Sequence, residues 1–168
     1  MKTELEIATL AAIEAGKIIS SYYKSVYQIK EKGYKNPVTT ADHKSDECLK
    51  KLLIGPRPQY GWLSEETLDN DLRITKERVW VVDPLDGTKE FIEGIPNFVV
   101  SIGLVENGIP IVGVLHNPIT LETFTAAKGN GAFLNGKLIT CRAKDSVCEM
   151  VILNSRSETK KGLWEEFK

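Results

Sequence analysis

The sequence predicts an α+β fold in which two N-terminal helices pack on a largely antiparallel sheet. Apolar residues recur at helical spacing from about Thr3 to Lys24, and a second helical pattern starts near Asp42. Strand-like apolar runs fill the middle of the chain, and two of them are joined by the hairpin dipeptide Asn107-Gly108. Because the helices precede the strands, we expect them to cover one face of a single sheet.

The first helix is amphipathic. Its apolar residues recur at the spacing of one helical face, with Glu and Lys between them. They are Ala8, Ala12, Ala15, Ile19 and Tyr22. The charges along the helix exclude a membrane span, and the N-terminus has no secretory leader pattern.

The next segment, Ile29 to Thr40, is polar and interrupted by Gly33 and Pro37, which predicts a loop or a hairpin. The second helix then runs as far as the Gly55-Pro56-Arg57-Pro58 segment, which ends it.

Strand patterns begin after Tyr60. The predicted strands are Trp62–Ser64, Val79–Val82, Phe98–Glu106 and Ile109–His116, with turns near 107–108, 120–122, 129–131 and 135–136. Residues Thr67 to Arg78 are mostly charged, which predicts a mobile connection.

The last residues suggest one further strand and one further helix. Val151-Ile152-Leu153 has the pattern of a strand, and Ser155-x-x-Glu158 is a capping box that opens a helix. That helix would carry Leu163, Trp164 and Phe167, an apolar face with no later segment to pack against.

Composition narrows the class of protein. The 168 residues carry a formal net charge of -1, which gives no electrostatic footprint for a nucleic acid polymer. Cys48, Cys141 and Cys148 form no C-x-x-C pair, so we expect reduced, mostly buried thiols in a cytoplasmic protein.

The most informative run is Asp83-Pro84-Leu85-Asp86-Gly87-Thr88-Lys89-Glu90-Phe91, which follows the apolar strand Val79–Val82. Two carboxylates three residues apart are presented where the strand is expected to end. Pro84 restricts the backbone there, and Gly87 permits close approach of a ligand. A divalent cation and a phosphate together need this combination of hard oxygen ligands and a Gly-Thr backbone. An isolated Asp-x-x-Asp would be read as a capped turn, but the longer run favours a functional site.

Two further carboxylates, Glu65 and Glu66, follow the strand Trp62–Ser64. If the two strands are neighbours that end on the same side, Glu65 and Asp83 share an ion. Neither segment contains His or Cys, so the ligand set favours Mg²⁺ or Mn²⁺ over Zn²⁺.

These motifs resemble the inositol monophosphatase superfamily. The resemblance rests on Asn36–Asp42, Leu63–Glu66 and Asp83–Phe91, and it continues through 101–104, 113–118, 128–136 and 155–157. The Lys89-Glu90-Phe91 ending, preceded by Ser-Glu-Glu, most resembles the 3′(2′),5′-bisphosphate nucleotidase branch. The implied fold is the first half of a layered αβαβα sugar-phosphatase fold.

The resemblance implies roles for the matching positions. Glu65, Asp83 and Asp86 would be side-chain ligands of Mg²⁺, and Leu85 would offer its carbonyl. Asp42 and Thr88 would be catalytic, orienting or deprotonating the attacking water. Glu65, Asp86, Gly87 and Thr88 would bind the substrate, with the Gly87 and Thr88 amides on its phosphate.

For other polar residues the alternatives stay open. Asp42 is also a candidate helix N-cap, and Glu66 is a neighbour that adds negative potential. Lys89 and Glu90 are either a solvated pair or specificity residues. Ser155 and Arg156 either reach a nucleotide or sugar or simply begin the last helix. His43 and His116 receive no role.

The implied reaction is Mg²⁺-dependent hydrolysis of a small phosphorylated substrate. The resemblance favours 3′-phosphoadenosine 5′-phosphate, cleaved to AMP and phosphate. The alternatives are an inositol or sugar monophosphatase of the same superfamily and an inactive metal-binding fragment. The resemblance also implies inhibition by Li⁺.

The sequence departs from the family pattern near its end. The family's later Trp-Asp-x-x-Ala-Gly type motif has no match, since Trp164 is followed by Glu165-Glu166-Phe167. We therefore expect residues 1–150 to form an N-terminal α+β metal-site domain and 151–168 to begin a second, truncated α/β domain. The alternative is a docked C-terminal helix. An exposed sheet face and edge also predict poor solubility or association, with a homodimer as the expected assembly.

Overall fold

The computed structural model describes residues 2–33, 36–69, 71–141, 146, 149–151 and 153–165. Four α-helices and nine strands occur in these residues. The helices are α1 (Glu4–Tyr22), α2 (Thr40–Ile54), α3 (Thr88–Ile92) and α4 (Arg156–Lys160). The strands are β1 (Ile29–Gly33), β2 (Asn36–Thr39), β3 (Gly61–Ser64), β4 (Arg78–Asp86), β5 (Val99–Glu106), β6 (Ile109–Asn117), β7 (Glu122–Ala127), β8 (Gly131–Leu134) and β9 (Lys137–Ile139).

Seven of the strands form one sheet in the order β3-β4-β5-β6-β7-β8-β9. Every neighbouring pair is antiparallel except β3 and β4, which are parallel. Asn107 and Gly108 connect β5 to β6 with φ of 49° and 80°, as the hairpin dipeptide predicts. The predicted α+β class with a largely antiparallel sheet is therefore confirmed.

Helices α1 and α2 cover one face of this sheet. The small residues Ala8, Ala11, Ala12 and Ala15 are fully buried, which lets α1 lie close to the strands. Trp80 is fully buried on the same side. The opposite face is more open, because Val81 and Leu115 keep 38% and 42% of their surface exposed. The core thus lies between the two helices and one face of the sheet.

Strands β1 and β2 form a separate antiparallel hairpin, so the hairpin alternative for Ile29 to Thr40 is the one observed. All five residues of β1 are exposed. The base of the hairpin is fixed by Thr40, whose amide donates to the Gln28 carbonyl and whose hydroxyl accepts from the Gln28 amide. The hairpin leads directly into α2.

Several boundaries differ from the predictions. The segment 67–78 is not featureless, because Leu72–Thr75 form a 3₁₀ turn and Arg73 pairs with Asp69. The short helix α3 was not predicted, since only five residues follow Gly87 before the chain turns again.

The C-terminal predictions are partly wrong. Val151 and Leu153 are exposed and belong to no strand, and Ile152 lies outside the described residues. The capping box of Ser155 and Glu158 is present, but α4 ends at Lys160. Leu163 and Trp164 therefore follow the helix instead of lying on it, and Phe167 lies outside the described residues.

Across the described segments, no helix combines the length and apolar character needed to cross a bilayer.

Candidate active site

The parallel pairing of β3 and β4 brings Glu65 beside Asp83. Ser64 is paired with Val82, and the Glu65 amide continues the ladder by donating to the Val82 carbonyl at 3.2 Å. The carboxyl groups of Glu65 and Asp83 are in hydrogen-bonding contact with each other. The sequence-based expectation that these two carboxylates meet is confirmed.

Asp83 and Asp86 lie within β4 and not after it, so the prediction that the strand ends at Val82 is wrong. Asp83 is paired with Ser101 and Asp86 with Val99, and the register shifts between them. The irregularity accommodates Pro84, which has no amide proton for the ladder. The Leu85 amide instead donates to Asp83 Oδ1 at 3.1 Å. This bulge sets the direction of both carboxylates.

The carboxylates repel one another electrostatically. Burial, together with the nearby Glu65 and Asp86 charges, raises the pKa of Asp83 to about 7, although the Leu85 amide acts against the rise. The pKa of Glu65 is lowered, chiefly because Lys32 donates a hydrogen bond to it. The Glu65–Asp83 pair therefore retains a proton on Asp83 at pH values where an ordinary aspartate is ionised. A bound divalent cation would remove that repulsion.

The oxygen donors fit a hard cation such as Mg²⁺. Glu65, Asp83 and Asp86 supply only carboxylate oxygen, and the Leu85 carbonyl lies in the same cleft. Within the described ranges, however, no three acidic, His or Cys side chains already converge as a formed metal cluster. The preformed part of the site is the Glu65–Asp83 pair, with Asp86 close enough to act on Asp83 electrostatically.

Lys32 occupies one side of this cluster, and sequence analysis missed it. Its Nζ lies 2.9 Å from Glu65 Oε1 and 2.6 Å from Glu66 Oε1. Burial opposes its charge, but the hydrogen bonds to Glu66 and Glu65 prevail and raise the pKa of Lys32. No local pattern predicts this contact, because 33 residues separate Lys32 from Glu65.

Glu66 is more than a neighbouring charge, because its side chain is only 3% exposed. Burial raises its pKa, while Lys32 acts in the opposite direction. Its Oε1 bonds to Lys32, whereas Oε2 is buried without a hydrogen-bond partner in the structure as described. His43 Nδ1 lies 3.9 Å from Oε2.

A hydroxyl–carboxylate pair lies at the other end of the cleft. Thr88 Oγ1 is 3.1 Å from Asp42 Oδ1 and 3.0 Å from the Leu85 carbonyl oxygen, so its single proton has two alternative acceptors. Asp42 is almost completely buried, and its Oδ2 accepts from the amide and hydroxyl of Thr39. The sequence thus predicts the proximity of Asp42 and Thr88 correctly.

The alternative role of Asp42 as an N-cap is wrong in detail. Thr39 is the N-cap of α2, which starts at Thr40, and Asp42 is the third helical residue that completes the capping box. This arrangement uses one carboxylate oxygen for the helix end and leaves the other for Thr88.

Gly87 is the position where the backbone needs glycine. Its φ is +99°, and a Cβ there would lie 2.9 Å from the Asn97 carbonyl oxygen and 3.0 Å from Phe98 Cβ. Gly87 turns the chain from β4 into α3 and so places Thr88 opposite Asp42.

The cleft between these groups is small and polar. Its lining residues are Pro37, Glu65, Asp83, Leu85, Asp86, Gly87, Thr88, Lys89 and Glu90. Larger depressions lie elsewhere, including an apolar one on the open sheet face around Val81 and Phe124. We assign the site to the polar cleft, because it brings several carboxylates together.

The structure locates the residues whose alternatives were left open. Lys89 is exposed at the cleft and is not paired with Glu90. Arg156 instead lies 2.8 Å from Glu93 and 3.7 Å from Glu90, and Ser155 caps α4.

No histidine or cysteine of the described residues lines the cleft. His116 is buried and its Nδ1 is 2.9 Å from Thr123 Oγ1. Cys48 is half-buried and Cys141 is exposed, both as free thiols, while Cys148 lies outside the described residues. Burial of Cys141 is therefore a wrong prediction.

Comparison with known proteins identifies the family. The model of the inositol monophosphatase family matches residues 1–167. The chain belongs to the inositol monophosphatase family. It is 38% identical over 156 residues to inositol monophosphatase 2 of Solanum lycopersicum, a match that covers 90% of this chain and 58% of that protein.

The fold of the family is also shared. The extragenic suppressor protein suhB of Bartonella henselae superposes with a TM-score of 0.76 and 37% identity, covering 83% of this chain and 54% of that chain. A more distant IMPase/NADP phosphatase complexed with Mg²⁺ and phosphate has a TM-score of 0.67 at 21% identity, covers 74% of this chain and 48% of that one, and shows the fold alone. The chain spans about half the length of the relatives it matches.

The predicted nucleotidase branch is wrong. Named relatives at 35–38% identity are inositol monophosphatases, and the structural match is to suhB. Lys89-Glu90-Phe91, the basis for that branch, supplies an exposed lysine and a core residue, because Phe91 is buried.

Proposed function

We propose that this chain acts as a Mg²⁺-dependent phosphatase that hydrolyses inositol monophosphates, with its metal and phosphate sites in the polar cleft. The observation that carries the proposal is the convergence, in one cleft, of the Glu65–Asp83 carboxyl pair and the Thr88 hydroxyl, which contacts the buried Asp42. The first is an anionic site for a cation, and the second is a site that binds and orients water.

Glu65, Asp83, Asp86 and the Leu85 carbonyl would hold the metal. When bound, Mg²⁺ neutralises phosphate oxygens and lowers the pKa of an attacking water. Support for this ion comes from the all-oxygen ligand set. Glu66 is left outside this ligand set because, unlike Glu65, it does not line the cleft.

Thr88 and Asp42 would direct the water. Of its two acceptors, the Thr88 hydroxyl would donate to Asp42 Oδ1, so that Oγ1 can accept a hydrogen bond from water and pass its own proton to Asp42 as it takes up the proton of the water. Asp42 is fixed by Thr39 through its other oxygen, which restricts the rotation of the carboxylate. The pair thereby orients the water and takes up the proton that the water loses as its oxygen attacks the phosphorus.

The backbone around Gly87 would bind the phosphate. Gly87 brings the chain close to the cleft without a side chain, and we assign the amides of Gly87 and Thr88 to the substrate oxygens. Glu65 and Asp86 contribute to substrate binding by lining the same cleft.

The substrate class follows from the relatives. Inositol monophosphatase 2 of Solanum lycopersicum and the inositol-1-monophosphatase of Rhizobium meliloti are 38% and 36% identical to this chain. We assign inositol monophosphate to this chain ahead of a nucleoside bisphosphate because the related sequences carry that name.

Release of inorganic phosphate tests the proposal. The chain is incubated with Mg²⁺ and either inositol 1-phosphate or 3′-phosphoadenosine 5′-phosphate. We expect faster turnover of inositol 1-phosphate, a loss of about 100-fold or more in Thr88→Val, and substantial activity in Thr88→Ser, which keeps the hydroxyl.

Two results would contradict the proposal. Faster turnover of the nucleotide would assign a different substrate. Binding of Mg²⁺ without any turnover would assign a non-catalytic metal-binding fragment, which needs another chain to act.

A further inference from the structure

Lys32 connects the exposed hairpin β1–β2 to the carboxylate cluster. Strand β1 is exposed along its whole length, and the hairpin is not part of the seven-stranded sheet. Within the described part of the chain, Lys32 makes the only side-chain ion pairs from β1 to the cluster, with Glu65 and Glu66. The tip side of the hairpin is thus tied to the site through one ammonium group.

The ammonium group occupies a position that favours a cation. Glu65 Oε1 accepts from Lys32 Nζ at 2.9 Å, while the same carboxyl group contacts Asp83. Glu66 contributes a carboxylate that is only 3% exposed, and its Oε2 has no hydrogen-bond partner where the structure describes its surroundings. The one positive charge of Lys32 is therefore outnumbered by the carboxyl groups of Glu65, Glu66 and Asp83.

A divalent ion on Glu65 would meet this ammonium at the same carboxylate. Like charges on one carboxylate repel, and the repulsion is weakly screened where one partner is buried. Glu66 gives Lys32 an alternative partner, because the shorter of its two contacts, 2.6 Å, is to Glu66 Oε1. Lys32 can therefore leave Glu65 without losing every acceptor.

We propose that the Lys32 ammonium competes with the metal ion for Glu65, so that Lys32 limits the metal affinity and the hairpin is released from Glu65 when the metal enters. This inference rests on the proposed function, because it takes the Glu65–Asp83 pair as the metal site. Lys32 is then an intramolecular competitor of the metal ion and not one of its ligands. We call the Lys32–Glu65 ion pair the latch, because it holds the hairpin at the edge of the cleft until a cation displaces it.

Calorimetric titration with Mg²⁺ tests the competition. Lys32→Met keeps the aliphatic stem and removes the charge, and we expect it to bind Mg²⁺ about tenfold more tightly than the unchanged chain. Lys30→Met is the matched control, because Lys30 lies on the same exposed strand and forms no ion pair in the described structure. It should leave the affinity unchanged within about twofold.

Hydrogen exchange of the β1 amides provides a second readout, independent of activity. Mg²⁺ should speed exchange in the unchanged chain, because Lys32 leaves Glu65. In Lys32→Met, exchange should already be fast without the metal, and Mg²⁺ should change it little.

Equal affinities in Lys32→Met and the unchanged chain, or equal gains in Lys32→Met and Lys30→Met, would overturn the competition. So would slower exchange of β1 on addition of Mg²⁺. Titration of Asp83→Asn separates this failure from that of the proposed metal site: loss of binding in Asp83→Asn with no effect of Lys32→Met refutes only the latch. Unchanged binding in Asp83→Asn, or no binding in any variant, refutes the metal site itself and the latch with it.

Discussion

The position of Asp83 destabilises the metal-free fold but suits the proposed metal site. It lies inside the sheet, in contact with Glu65 and near Asp86, and its pKa is raised to about 7 by burial and by these charges. A carboxyl group selected only for stability would not be placed there. The same placement supplies a ligand pair that a divalent cation stabilises.

Replacing Asp83 by Asn should therefore stabilise the metal-free chain at alkaline pH. The folded state binds the Asp83 proton more tightly than the unfolded state, so stability falls as the pH rises from about 4 to about 7. Above that range Asp83 is ionised in the folded state, and its full cost to the free energy of unfolding applies. With solvent screening discounted, we expect Asp83→Asn to raise the free energy of unfolding by about 1–2 kcal/mol near pH 8, and to have little effect near pH 4.

Urea unfolding without metal at the two pH values measures this effect. Asp86→Asn is the matched control, because Asp86 is exposed and we expect a smaller gain. A destabilised Asp83→Asn at alkaline pH, or a gain that is the same at both pH values, would contradict the electrostatic account.

At the scale of elements, α1 approaches β6 closely at Gly16. Gly16 faces His116, and a Cβ on Gly16 would lie 2.7 Å from His116 Cδ2 and 3.0 Å from Pro118 Cβ. Together with the buried alanines of α1, this glycine determines how near the helix lies to the sheet.

Gly16→Ala should destabilise the fold although alanine is the better helix former by about 1 kcal/mol. The overpacked methyl group should outweigh that gain, and we expect a net loss of about 1–2 kcal/mol in the free energy of unfolding. Gly113→Ala is the control, because Gly113 lies on β6 with open space where its Cβ would be.

Thermal melting of the two variants checks this prediction. A melting temperature of Gly16→Ala at or above that of the original chain would show that α1 moves away from β6 without cost. An equal loss in Gly113→Ala would assign the effect to the glycine substitution in general.

The elements differ in how well the sequence predicts them. Helix α1 and the β5–β6 hairpin carry strong local patterns, and both are observed near their predicted bounds. The end of β4 was misjudged because pairing with β5 extends the strand past Pro84, and local sequence does not contain that pairing. Helix α3 is too short to show a helical period.

Across the whole molecule, the site is assembled from segments that are distant in sequence. The meeting of Glu65 with Asp83 was predictable on the condition that their two strands are neighbours, and that of Asp42 with Thr88 was implied by the family resemblance. The Lys32 contact was not predictable, since it depends on how the exposed hairpin lies against the cleft.

The open face of the sheet is a second property of the whole molecule. Leu115 and Phe124 remain 42% and 38% exposed on it, and the chain spans about half the length of its relatives. The predicted division at residue 150 and the predicted association into a homodimer stay predictions.

Calorimetric titration of the chain with Mg²⁺ at two buffer ionisation enthalpies tests the central claim most directly. Because Asp83 keeps its proton up to a pKa of about 7, binding near pH 6 should release about one proton, and Asp83→Asn should lose binding and proton release together. Mg²⁺ bound as tightly by Asp83→Asn, with the same proton release, would place the metal elsewhere and contradict the assignment of this cleft.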